Sequence, residues 1–281
     1  MEQARALGRA AGAKLSTAAL DAHPNSADSV LVRLRVGRMD RRAPALVLVS
    51  RIVLFAVFQV VVAAVLAAAG RPDPWARSAA WWPITATAAN LVTIALLDRV
   101  ARHEGLTLAD LYNLGLQRRS DLPQLIGVLA GAIVLGIVPG VILGALFFGD
   151  AARAAATFVG PLPFAVALVG LVAFPVTAAF AELPAYFGYV MPRLEAMWQG
   201  RWRALLVSAL FLALQQLTLP LVWDAPFLVW RALVFLPLAL FLGVIIRGRP
   251  GFLPYLMATQ AIVQFVAASQ VVQVSLATFA R

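Results

Sequence analysis

Seven stretches of this chain run for 18 residues or more with at most one charge: Ile52–Ala69, Ala79–Leu97, Leu122–Phe148, Ala154–Ala181, Ala204–Trp223, Pro226–Ile246 and Gly251–Ala280. A helix needs roughly 20 apolar residues to cross the hydrocarbon of a bilayer. The succession therefore predicts an all-α fold: a polytopic transmembrane helical bundle of about seven spans. Gly251–Ala280 is 30 residues long, so it is expected to form one helix to about Ala268 and then a short extra segment, which would make an eighth span. Ala154–Ala181 opens with "TFVGPLPF", read as a loop, so its helix should begin near Phe164. Leu122–Phe148 is rich in glycine, the mark of close helix contact.

Composition agrees. Apolar residues make up 62% and charged residues 13%, against about 25% charge in an ordinary soluble domain; the mean hydropathy is +0.86. The net charge of +10 comes from 22 arginines and one lysine against 13 acids. These cations lie mainly between the apolar runs, so they argue for the positive-inside rule and not for nucleic acid. The N-terminal region, the loop Asp98–Asp121 with Arg99, Arg102, Arg118 and Arg119, the turn with Arg193, Arg201 and Arg203, and "RGRP" are the basic loops. Their alternation places the N-terminus in the cytoplasm, and the arginine-rich, Ala/Leu/Val-rich composition points to a bacterial inner membrane. Residues 1–45 read as a basic cytoplasmic tail and 46–281 as the membrane domain. The cluster Arg33, Arg35, Arg38, Arg41, Arg42 and Arg51 would favour anionic lipid at the cytoplasmic face. The absence of cysteine excludes thiol nucleophiles, thiolate metal sites and disulfides, and no cofactor or metal is expected.

Few polar groups fall inside the spans. Gln215 and Gln216 sit together in an otherwise greasy run, and a lipid-facing amide would be left unsatisfied, so they must meet something polar. Gln260 and Gln264 are four apart and share a helix face. Glu182 is the one acid that extends an apolar run. It either rests at the interface or is a carboxylate held in a polar cavity and suited to general-base work. Pro184, just beyond it, could kink the helix and open such a cavity. Arg231 could pair with Glu182 or with Asp224, or snorkel toward the headgroups beside Trp230.

"ELPAYFGYVMPRLEAMW", Glu182 to Trp198, resembles the first motif of the CPBP family, the CAAX prenyl proteases and bacteriocin-processing intramembrane enzymes, which reads EExxxR followed by glycine, an aromatic and often "LPRL". Aligned on "GYVMPRLE", Glu182 takes the first glutamate position, Leu183 the second and Phe187 the arginine. The next helix resembles the FxxxH segment, with Gln216, or Gln215 in strict register from Phe211, at the histidine. "FLPYLMATQAIVQ" resembles the third motif, with Gln260 at the histidine and Gln264 at the Asp or Asn. The likeness spans about residues 164–265.

It implies a helical bundle around an intramembrane cavity, in which a glutamate activates water and histidines position it and steady the oxyanion. This chain keeps one glutamate and lacks the second, the arginine and both histidines. Glutamine can donate to an oxyanion but cannot take and return a proton, a service worth typically 10²–10⁴-fold. The expectation is a pseudoprotease that binds hydrophobic, membrane-embedded or prenylated peptides without cutting them. The alternatives are a divergent active endopeptidase using Glu182 and a small permease or membrane scaffold.

Overall fold

A computed structural model describes residues 23–114 and 122–279. The expected tail up to residue 22 and the loop cations Arg118 and Arg119 lie outside these residues. Within them the chain is helical, with no strand. In chain order the helices are α1 (Ala27–Arg35), α2 (Ala43–Ala68), α3 (Pro74–Ala79), α4 (Trp82–His103), α5 (Leu108–Leu111), α6 (Leu122–Phe148), α7 (Ala151–Ala156), α8 (Phe164–Leu183), α9 (Met191–Trp198), α10 (Arg201–Leu214), α11 (Ala225–Gly248) and α12 (Leu253–Phe279). A π-helical turn, Pro184–Val190, joins α8 to α9 without a break, and a 3₁₀ turn, Gln215–Thr218, closes α10. Six of these helical stretches are long and apolar enough to cross a membrane. The chain is an integral membrane protein.

α8 is the central post. α4 packs along one flank, α12 along another, and α2 leans on α4. α10 and α6 pack on α11. Every residue from Ala181 to Val190 is buried. The wide turn begins at Pro184, which has no N–H to give to the helical ladder. At Gly188 the backbone of α5 comes so close that an added Cβ would lie 2.5 Å from the Leu111 carbonyl oxygen. Gly188→Ala should therefore force the π turn and α5 apart, at roughly 1–3 kcal/mol, visible as a lower melting temperature in detergent. The glycines of α6 meet α11 in the way the small-residue pattern implies: a Cβ on Gly131 would lie 2.9 Å from the Phe241 ring and one on Gly136 3.6 Å from Leu238. The other faces of α6 carry exposed Ile126, Val134, Val141 and Leu146, an apolar surface suited to contact with lipid.

Three features differ from expectation. The run Ala204–Trp223 is not one long helix: α10 has 14 residues, about 21 Å at 1.5 Å per residue, and ends where Gln215 and Gln216 turn inward. The last run is a single unbroken helix of 27 residues, because nothing between Leu253 and Phe279 interrupts the backbone ladder. The described part of the basic N-terminal segment, residues 23–35, is docked on the bundle. Ser26 caps α1, accepting a hydrogen bond from the Ser29 amide, and Val30 and Met39 pack on Ala196 of α9.

A carboxylate held by three amides

Glu182 is the penultimate residue of α8, 3% exposed. Three amide donors and one cation, from three other segments, converge on it. Gln215 Nε2 donates to Oε1 at 2.8 Å and Gln216 Nε2 to the same oxygen at 3.2 Å. Gln260 Nε2, from α12, donates to Oε2 at 3.2 Å. The Arg51 guanidinium stands 4.0 Å from Oε2. Gln215 and Gln216 lie in the 3₁₀ turn that closes α10, and their long side chains bring both amides to the same carboxylate oxygen. Gln260 and Arg51 lie seven and eight residues inside α12 and α2, about 10–12 Å from the same end of the bundle.

Arg51 is a correction to the sequence reading. It is not part of the interfacial basic cluster but 1% exposed inside the bundle. Its Nε donates to Gln215 Oε1 at 2.5 Å and its Nη1 to Asn90 Oδ1 at 2.8 Å. Asn90 Nδ2 in turn donates to Thr177 Oγ1 at 3.1 Å, and the Tyr186 hydroxyl donates to Gln215 Oε1 at 3.2 Å. The network thus ties α2, α4, α8, α10 and α12 together. The signal was present: "ALVLVSRIVLF" is an apolar run with one arginine inside it. Asn90 carried the same kind of signal, an amide inside the uncharged run Ala79–Leu97, whereas Tyr186 carried none, since tyrosine is ordinary near a span end.

Arg231 does not snorkel. It is buried, with Nε donating to the Gln216 carbonyl at 3.1 Å and Nη2 to the Leu219 carbonyl. Phe158, Trp230 and Phe235 surround its guanidinium. No ion pair joins it to Asp224 among the described residues. Asp224 instead caps α11, accepting from the Phe227 amide at 2.8 Å. Arg231 therefore serves the carbonyls that the 3₁₀ turn leaves without partners, and so fixes where Gln216 points. Of the other motif positions, Leu183 and Phe187 are buried and apolar; Phe187 packs on Gly243. Gln264 is half-exposed and takes no part in the network.

A second buried cluster lies at the nearby end of the bundle. Arg193 of α9 donates to both Glu104 oxygens, at 2.9 and 2.7 Å. It also donates to Asn25 Oδ1 and the Tyr189 carbonyl, both at 2.9 Å. The Tyr189 hydroxyl donates to Glu104 at 3.0 Å. Asn25 Nδ2 donates at 2.6 Å to the Gly188 carbonyl in the π turn. Arg33 completes the cluster 3.5 Å from Glu104, and burial, with Arg193 adding to it, lowers its pKa below the usual arginine range while Glu104 opposes the shift.

Chemically, the Glu182 site is a carboxylate held by three amide donors and a nearby cation. A carboxylate offers about four lone-pair positions; three amides take three of them, and the Arg51 guanidinium adds an ion pair at 4.0 Å. No group of three His, Cys, Asp or Glu side chains able to hold a metal ion occurs among the described residues. Comparison with protein-family models, with curated proteins and with solved structures gave no match.

Proposed function

We propose that this chain is a seven-span membrane protein with a CPBP-like core over residues 164–265, which binds hydrophobic or lipidated peptides within the membrane and does not cleave them. The observation that carries the reading is the convergence of Glu182 with Gln215, Gln216 and Gln260. These are the positions that the motif resemblance pairs with a catalytic glutamate and its two histidines. They come from three separate segments of the sequence and meet on one carboxylate. The seventh crossing in this reading is α10 with its 3₁₀ turn and the extended residues that follow; the N-terminus faces the cytoplasm.

The loss of catalysis follows from the same geometry. A general base needs a lone pair directed at a water, and here three amide donors already engage the carboxylate, two on Oε1 and one on Oε2. These amides cannot shuttle protons. Arg51 supplies, from α2, a cation beside the carboxylate, as the motif arginine would have done from position 187.

The test uses the full chain in nanodiscs with a prenylated or signal-peptide-like peptide. Wild type and Glu182→Gln should both bind and leave the peptide intact. Any turnover should appear only in the Gln216→His/Gln260→His double variant, by roughly 10²-fold or more if acid–base assistance returns. Turnover by wild type that disappears in Glu182→Gln would establish the divergent endopeptidase instead.

A further inference from the structure

α6 leans on α11, and α12 leans on α8. Between the two pairs a cleft of about 420 Å³ opens sideways into the membrane region, lined by Ile133 and Gly136 of α6, Leu238 of α11, and Thr259, Gln260 and Val263 of α12. That volume falls within the roughly 300–1,000 Å³ of small-molecule sites. The lining carries no charge, so an anionic or cationic head would be stranded there. The α6 wall runs from Leu129 to Ile137, about 12 Å of helix. A single hydrocarbon chain can lie along that wall.

The polar lining is confined to one spot. Thr259 gives its hydroxyl proton to the Tyr255 carbonyl at 3.0 Å and keeps oxygen lone pairs. Gln260 must turn Nε2 toward Glu182, since a carboxylate only accepts; it does so at 3.2 Å. Its Oε1 receives no hydrogen bond from any described residue, and one N–H of the amide remains. The inner wall of the cleft therefore offers a surplus of acceptors beside a single donor. A hydroxyl, which donates and accepts, satisfies both sides. An ether or ester oxygen, which only accepts, uses the one N–H and leaves the acceptors unpaired.

We infer that this cleft is a binding site for a hydroxyl-bearing, uncharged lipid chain, whose hydroxyl rests on Gln260 while its hydrocarbon lies along α6. The inference deepens the reading of Glu182 as the centre of a membrane-embedded binding site. It takes from that reading the cleft's role as the approach to Glu182, and needs no statement about cleavage.

The experiment compares a photoactivatable long-chain alcohol with its methyl ether on the full chain in nanodiscs, reading affinity by competition and the labelled residues by mass spectrometry. Label should fall on α6 and α12 around the cleft. The alcohol should bind roughly three- to tenfold tighter than the ether, the effect of one net hydrogen bond, and Gln260→Leu should abolish that preference. Val263→Trp, at a side chain 49% exposed, fills the cleft without disturbing packing and should remove both probes while the melting temperature holds. Equal affinity of alcohol and ether for wild type, a preference that survives Gln260→Leu, or label outside the cleft would each overturn the assignment. A hydrophobic peptide added as competitor separates the two readings. If it fails to bind while the alcohol preference stands, the peptide reading falls and the lipid site remains; if it binds while alcohol and ether are equal, the reverse holds.

Discussion

Arg51→Met is expected to cost the bundle about 3–5 kcal/mol, the loss that follows when one partner of a buried ion pair is removed. Glu182 is then a carboxylate without a cation beside it, in a region too poor in water to screen it. The Gln215 amide also loses the guanidinium that orients it at 2.5 Å, and Asn90 loses its donor. Equilibrium unfolding in mixed micelles measures the effect. The decisive comparison is the double variant Arg51→Met/Glu182→Gln. With neither charge present the penalty for an isolated ion disappears, so the double variant should lose about 1–3 kcal/mol less than the sum of the two single losses. Strict additivity would mean that the 4.0 Å contact carries no coupling.

Arg193→Met is expected to have an effect of similar size with a different local consequence. Arg193 is fully buried and is bidentate on Glu104, itself 3% exposed. Removal leaves that carboxylate with Arg33 at 3.5 Å and the Tyr189 hydroxyl, at a cost of about 3–5 kcal/mol. Asn25 loses the donor to its Oδ1 at the same time, so the segment 23–35 should come away from α9. Limited proteolysis of the variant should cut within residues 23–42 before the bundle melts, whereas wild type resists. Glu104→Gln keeps an acceptor for Arg193 and Tyr189 and should release the segment far less. Equal cleavage of wild type and Arg193→Met would show that the apolar contact of Val30 and Met39 with Ala196 holds the segment unaided.

The two effects share a cause. In water an arginine finds a partner anywhere; inside a bundle it must find one at a fixed place, and the helices that supply it become mutually dependent. Arg51 fixes α2 to α4, α8 and the end of α10. Arg193 fixes α9 to α4 and to the segment before α1. Arg231 adds a third case, in which the partners are carbonyls freed by a shortened helix.

How much of this is written in the sequence depends on the range of the interaction. Uncharged runs of span length forced the helices, because a helix is the local way to satisfy a backbone that lipid will not hydrate. Phe164 as the start of α8 was equally local, set by the Gly-Pro-Leu-Pro that precedes it. The need for Gln215 and Gln216 to find polar partners followed from their neighbours alone. Their partner did not. That Arg51 leaves the basic cluster for the interior, that α10 stops early, that Gln260 reaches Glu182 while Gln264 does not, and that Asp224 caps a helix instead of pairing with Arg231 are all settled by which faces of α2, α8, α10 and α12 meet. Periodicity tells a residue which neighbours share its own helix face; it is silent on which other helix that face will touch. Composition and run length thus determined that the chain is a helical membrane protein with a few buried polar groups, and the packing of helices far apart in sequence decided that those groups close on one carboxylate.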